Sequence, residues 1–232
     1  MRINEKGRSM IEMLGVLAII GVLSVGGIAG YSKAMAKFKV NKTIDQVAHT
    51  VANTRILFSS QRNYGDLGKC AASETGSNDG GKTLIEDTKL LPDSLKGFVN
   101  AYGGDFHLCD ANRLNSSATD EEGDKRAFIL MFTGLPTEAC VDLATQDWNA
   151  ASGSGLIAMG VIGESAANGT NSISKYTDFA KATTCTKTAT APAQNAATTM
   201  AYACGDDTDP MSISVATAAC KSAYSTIYFK FY

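Results

Sequence analysis

A run of twenty uncharged residues between Glu12 and Lys33 is the feature that most constrains how this 232-residue chain can fold. The run is mostly apolar, and a helix of that length is about 30 Å long, enough to cross the hydrocarbon core of a bilayer. Glu12 lies at the N-terminal end of this run. A carboxylate in a membrane segment raises the free energy of insertion by about 2.5–3.5 kcal/mol near the centre of the bilayer and by less towards the end. A cation close to Glu12 would offset that cost.

Cleavage of the Gly7–Arg8 bond would supply such a cation, because it frees an α-amine four residues, about one helical turn, before Glu12. The stretch Lys6–Leu14 (KGRSMIEML) resembles the processing site of type IV prepilins and type II secretion pseudopilins. In that pattern a short basic leader ends in Gly, and Glu is the fifth residue of the mature chain. Gly7 fits the cleavage position, and Glu12 is the fifth residue counted from Arg8.

The resemblance implies a structural subunit of a type IV pilus, processed by a prepilin peptidase that removes a leader of residues 1–7. Glu12 would pair with the α-amine of Arg8 in a neighbouring subunit and so set the register of a helical homopolymer built by the pilus assembly machinery. No cofactor, metal or catalytic residue is implied, so the chain is not expected to be an enzyme. The family N-methylates an apolar first residue, and Arg8 departs from that pattern, which leaves its methylation open.

The resemblance also implies two locations. The precursor would be a single-pass protein of the bacterial inner membrane with a periplasmic C-terminal region, and the assembled pilus would be extracellular. Four lysines follow the apolar run, so the positive-inside rule alone does not decide this orientation. They are Lys33, Lys37, Lys39 and Lys42.

Cysteine usage favours export of the region after the apolar run. All six cysteines lie there and none forms a C-x-x-C pair, so zinc knuckles and thioredoxin-like centres are disfavoured. An even number of scattered cysteines predicts three disulfides in an oxidising compartment, and their spacing alone allows fifteen connectivities. The net charge of −2 gives no basis for nucleic-acid binding. The cysteines are Cys70, Cys109, Cys140, Cys185, Cys204 and Cys220.

The expected fold is α+β, with a long N-terminal helix over residues 8–61 that packs on an antiparallel sheet. Its first half, about 10–31, is apolar all round and would form the transmembrane segment or the filament core. Its second half is amphipathic, because Ile44, Val47, Val51 and Phe58 recur at helical spacing, and the first strong stop is at Asn63–Gly65. Residues 62–232 are expected to form a globular head domain with a disulfide-closed C-terminal region.

Within the head, turn and strand patterns predict further elements. Residues 165–212, rich in Ala, Thr, Ser and Asn, are expected to be irregular and held by disulfides. The predicted elements are a helix over Lys82–Leu91 stopped by Pro92, a helix beginning near Pro136 or Thr137, and strands over Phe106–Cys109, Ala127–Thr133, Leu156–Ile162 and Ser225–Tyr232.

Two stretches of the head resemble the type IVb subclass of pilins. One is a Leu-Pro turn, Leu91-Pro92, followed by Asn-x-x-Gly-Gly at Asn100–Gly104; the other is Leu-Pro-x-x-Ala-Cys-x-x-Leu at Leu135–Leu143. The resemblance implies a disulfide from Cys140 to a C-terminal cysteine. Cys220 is expected first and Cys204 second; with Cys220 as the partner, Cys70–Cys109 and Cys185–Cys204 are the expected pairs among the three pairings that remain possible.

Other candidate sites are weak. His49 and His107 are expected to be surface or structural residues, and Asp206–Asp209 could hold Ca²⁺ but lacks the rest of a calcium loop, so a solvated acidic turn is favoured. A minor or tip pilin, or a type II secretion pseudopilin, shares the N-terminal features. A signal-anchored periplasmic binding protein or enzyme is the alternative from another class, and it would leave Gly7–Arg8 uncut.

Overall fold

The computed structural model describes residues 10–61, 63–70, 81–112, 124–148, 155–164, 176, 179–180, 187–188, 200–204 and 210–232. Its contacts separate two units, Met1–Lys39 and Val40–Tyr232. In the first unit the described residues are helical, and every side chain from residue 10 to residue 34 is exposed. The long N-terminal helix is confirmed as α1, Met10–Leu57, and its second half belongs to the second unit.

α1 ends before the predicted Gln61 because its last turn tightens. The N–H of Ser59 donates to the carbonyl of Ile56 at 3.4 Å, and the N–H of Gln61 donates to that of Phe58 at 3.2 Å. These are bonds three residues back in the chain, which do not continue an α-helix.

The second unit is built on a five-stranded antiparallel sheet in the order β1-β2-β5-β3-β4, which confirms the α+β expectation. β5, the last strand of the chain, lies in the middle between β2 and β3. The strands are β1 Phe106–Ala111, β2 Ala127–Leu135, β3 Leu156–Glu164, β4 Ala201–Cys204 and β5 Tyr224–Phe231.

One face of the sheet packs against the amphipathic half of α1. Leu108, Leu130 and Phe229 lie side by side across β1, β2 and β5, and they share one core with Val47 and Val51 of α1. Burying each such apolar side chain stabilises the fold by about 1.5–3 kcal/mol. The period of three and four residues along α1 therefore matches the face that is buried.

The other face of the sheet is also covered. Ile129 and Tyr228 on this face pack with Tyr176, Phe179 and other buried residues in a second core. A strand buried on both faces needs no polar alternation, which explains the unbroken apolar run of β2.

Among the described residues, three short helices and two 3₁₀ segments accompany the sheet, and one of these helices and both 3₁₀ segments precede its first strand. The second 3₁₀ segment is kinked at Lys96 and Gly97. The helices are α2 Gly81–Asp87, α3 Thr137–Ala144 and α4 Ile213–Ala219, and the 3₁₀ segments are Gly65–Leu67 and Asp93–Phe98.

Two predictions for the head were wrong in part. α2 ends at Asp87 rather than Leu91, because Lys89 adopts a left-handed backbone (φ +50°) and the N–H of Leu90 reaches back to the carbonyl of Ile85 at 3.2 Å. The stretch 165–212, predicted to be irregular, contains β4, which pairs with Ala158–Val161 of β3. The Ala-rich sequence of β4 does not itself indicate a strand, so its strand conformation depends on pairing with β3.

Candidate functional site

Glu12 lies in the first turn of α1 and is exposed. A carboxylate there interacts favourably with the positive end of the helix dipole, which is one local reason for an acidic residue at this position. The other two residues of the predicted processing site, Gly7 and Arg8, lie outside the described residues. The structure thus gives a location for Glu12 alone.

After Glu12, α1 carries an apolar surface with no covering side chains in its own unit. Leu14 is 66% exposed, Val22 75% and Ile28 68%, and α1 is long and apolar enough to cross a membrane. At Gly21 and Gly26 a Cβ atom would meet nothing within 4 Å. An apolar surface of this extent requires lipid or other apolar helices around it.

Asn100 is the organising residue of the first type IVb-like stretch. Its side-chain Nδ2 donates to the carbonyl oxygens of Thr133 at 2.8 Å and Asp105 at 3.2 Å. Its Oδ1 accepts from the backbone N–H groups of Tyr102 at 2.8 Å and Gly104 at 3.2 Å. The side chain is buried and uses both ends of its amide to hold the turn that leads into β1.

The two glycines of the same stretch have different roles. Gly103 adopts φ +82°, which favours glycine. Gly104 lies directly against β2, since a Cβ atom there would clash with the carbonyl of Thr133. The Asn-x-x-Gly-Gly pattern is therefore explained by a tight turn packed against the neighbouring strand.

A disulfide joins Cys140 of α3 to Cys220 at the end of α4, with the two Cα atoms 5.8 Å apart. The two cysteines are 80 residues apart in the sequence, and they are the pair that the resemblance implied. A disulfide over such a separation stabilises the folded state by roughly 4–5 kcal/mol in the chain-entropy account. Because β5 begins shortly after Cys220, the bond also fixes where the chain enters the middle of the sheet.

The other cysteines that the structure describes are also disulfide-bonded. Cys70 and Cys109 form a disulfide with Cα atoms 5.5 Å apart, which ties the segment after the first 3₁₀ turn to β1. Cys204 is disulfide-bonded, whereas Cys185, its expected partner, lies outside the described residues.

Lys230 is a buried cation in the middle strand that the sequence reasoning missed. Its Nζ donates to the carbonyl oxygens of Phe179 at 3.2 Å and Ala180 at 3.1 Å, and its side chain lies in the core between β2 and β3. Burial lowers the pKa of Lys230 to about 8, against a smaller opposing effect of Asp124. The signal for it was the single charged residue in a strand whose other residues are apolar, aromatic or hydroxyl-bearing.

The candidate sites for metal or catalysis gain no support from the described residues. His49 is exposed and His107 is buried in β1. Asp206–Asp209, the acidic stretch considered for Ca²⁺, lies outside the described residues. Among the residues that the structure describes, no group of three or more His, Cys, Asp or Glu side chains could hold a metal ion.

Comparison with known proteins points in one direction. The family model described as "PilS N terminal" matches residues 37–201. The major structural subunits of bundle-forming pilus from Escherichia coli O127:H6 (strain E2348/69 / EPEC) and from Escherichia coli O111:H- are each 27% identical to this chain over 146 residues. That alignment covers 61% of this chain and 64% of each relative, so the chain spans less than two thirds of the relatives' length. The family match begins at residue 37 and is therefore independent of the stretch Lys6–Leu14.

Proposed function

The chain belongs to the PilS N-terminal family and is a type IV pilin of the IVb-like subclass, and on this premise we propose that it is the structural subunit of a type IV pilus. The observation that carries the proposal is the contrast between the two units. The head buries both faces of its sheet, whereas residues 10–34 of α1 expose an apolar surface of membrane-spanning length.

The proposed route has three stages. The precursor is held in the inner membrane by α1, with the leader in the cytoplasm and the head in the periplasm. A prepilin peptidase cuts after Gly7, and the assembly machinery then transfers the apolar part of α1 from lipid to the α1 helices of other subunits. No stage requires catalysis by this chain, and the filament ends outside the cell.

Glu12 supplies the register in this scheme. Its carboxylate pairs with the α-amine of Arg8 in a neighbouring subunit, and the pair leaves neither charge alone among apolar helices. Because this ion pair forms at only one axial offset between neighbouring helices, it also favours that offset over others.

The first experiment is to determine the N-terminal sequence and mass of the chain from membranes and from sheared extracellular material. We expect a chain that begins at Arg8 in the sheared fraction, and the same mass shows whether the α-amine carries a methyl group. A chain that still begins at Met1 and is confined to membranes, in cells with an active prepilin peptidase, would favour the anchored periplasmic protein instead. The share of this chain among the sheared subunits separates a major from a minor or tip pilin.

The pairing of Glu12 is tested by Glu12→Gln, which removes the charge and keeps the shape. We expect the processed chain to accumulate in membranes and to be lost from the sheared fraction. Glu138→Gln is the matched control, because Glu138 is also an exposed first-turn acid, of α3, and loses the same helix-dipole interaction. Normal filament yield from Glu12→Gln would refute the pairing.

A further inference from the structure

The part of α1 that directly follows the apolar run has two distinct sides. Lys33 and Lys37 are exposed and lie four residues apart, about 40° from one another around the helix. Tyr31 and Phe38 are 67% and 60% exposed and lie about 20° apart, on a side about 130° away from the lysines. All four residues belong to the first unit of the structure.

This arrangement fits the boundary between hydrocarbon and headgroups. Tyrosine and tryptophan are enriched at that level, and lysine stems extend along apolar surface while the ammonium reaches the polar layer. Tyr31 and Lys33 stand where the apolar run of α1 ends, so a helix that spans a bilayer places them at its surface.

The lysines stand at the end of the helix where positive charge is unfavourable. The positive-inside rule predicts cations on the cytoplasmic side, whereas the proposed function places Lys33 and Lys37 on the periplasmic side. A layer of anionic phosphates at that surface attracts lysines and offsets this bias. Charge complementarity and continuity with the apolar run therefore favour the same occupant, an anionic lipid surface.

We propose that Tyr31, Lys33, Lys37 and Phe38 form a headgroup collar that binds anionic phospholipids of the leaflet next to the head. The two ammonium groups bind lipid phosphates, and the two rings fix the depth of the helix. The proposal rests on the proposed function for its choice of leaflet. Extraction of a subunit into a filament would then require release of these lipids.

The test uses the full chain in nanodiscs that contain phosphatidylcholine and phosphatidylglycerol in equal amounts. An Ala34→Trp substitution places a fluorophore between the two sides of the collar, at an exposed position. Quenching by brominated phosphatidylglycerol is compared with quenching by brominated phosphatidylcholine, and the chain without Ala34→Trp gives the background from Trp148. We expect about two- to fivefold stronger quenching by the anionic lipid, and a loss of this preference at high salt.

Lysine variants decide whether the collar causes the preference. In the Ala34→Trp chain, K33Q/K37Q should equalise the two lipids, whereas K33R/K37R should keep the preference. K89Q/K221Q is the matched control, because it removes two exposed lysines from the head and should change nothing. The proposal is overturned if the two brominated lipids quench the Ala34→Trp chain equally while Lys33 and Lys37 are present. It is also overturned if the preference for the anionic lipid survives K33Q/K37Q.

Filament yield measured on the same variants separates this proposal from the function on which it rests. A lipid preference without any filament would keep the collar and refute the pilus subunit. Filaments without a lipid preference would refute the collar. If there were no lipid preference and K33Q/K37Q lowered filament yield, the two lysines would contact neighbouring subunits instead of lipid, and the lipid proposal would be wrong.

Discussion

Lys230 gives the sharpest test of the energetics of the head, because an ionisable group in the middle strand links stability to pH. The side chain is 1% exposed and shares its core with Ile129 and Ala158, its neighbours in β2 and β3. Its ammonium has two carbonyl acceptors, on Phe179 and Ala180, at 3.2 and 3.1 Å. Those bonds stabilise the cation in part, but they do not replace its hydration, so the pKa falls to about 8 from 10.5.

The sign and size of the effect follow from this lowered pKa. Between pH 8 and pH 10.5 the unfolded chain keeps the proton on Lys230 and the folded chain loses it. Stability therefore rises with pH in this window, since the unfolded state binds more protons. The usable window closes near pH 10, because burial raises the pKa of Tyr64, Tyr102 and Tyr176, and unfolded tyrosines ionise first above that pH. Over about two pH units the gain is on the order of 2–3 kcal/mol.

The assay is urea unfolding of the full chain in mild detergent at a series of pH values. Trp148 reports on the head because its ring lies 4.5 Å from that of Phe229, next to Lys230. We expect the free energy of unfolding to rise between pH 8 and pH 10, and Lys230→Met to remove that rise. Lys221→Met, at an exposed lysine, should keep it. Equal pH dependence in the parent chain and Lys230→Met, or an NMR titration that places the Lys230 pKa near 10.5, would refute the reasoning.

Two further predictions concern the residues that close the head. Asn100→Ala should lower the free energy of unfolding by about 2–4 kcal/mol, because it leaves the buried N–H of Gly104 and the buried C=O of Thr133 without their partner. Urea unfolding measures this change, and a loss under about 0.5 kcal/mol would contradict the role of Asn100. Cys140→Ala/Cys220→Ala should lower the free energy of unfolding by roughly 4–5 kcal/mol and make the head sensitive to added protease. Unchanged urea midpoints would show that the sheet holds its last strand without the bond.

The strands that the sequence predicted share one property, which is strong and continuous apolar character. Ala127–Thr133 was found as part of β2, and the C-terminal stretch as β5, because burial on both faces selects residues that also favour strands. The length of α1 was predictable for a similar reason, since helical spacing and the absence of proline act locally. Its end was less so, because the tightened turn before Gln61 has no distinct residue to mark it.

What the sequence did not reveal depends on pairing between distant parts of the chain. β4 is strand-like only beside β3, and its alanines carry little preference of their own. The burial of Lys230 was not predicted, because its carbonyl partners lie some fifty residues earlier in the chain. The disulfide connectivity also required knowledge beyond spacing, since fifteen pairings are compatible with six cysteines.

The two units would have different physical roles in the proposed filament subunit. In the head, the described strands of the sheet have both faces buried, and the Cys70–Cys109 and Cys140–Cys220 disulfides link its segments, so little of its stability depends on a neighbour. The exposed half of α1 is the opposite case, since in its own unit its apolar side chains have no cover. A polymer of such chains is stabilised most when those helices cover one another, because lipid and neighbouring helices are alternative partners for the same apolar surface. Assembly should therefore be most sensitive to changes between Glu12 and Lys33, whereas changes in the head core should act through the fold of the subunit.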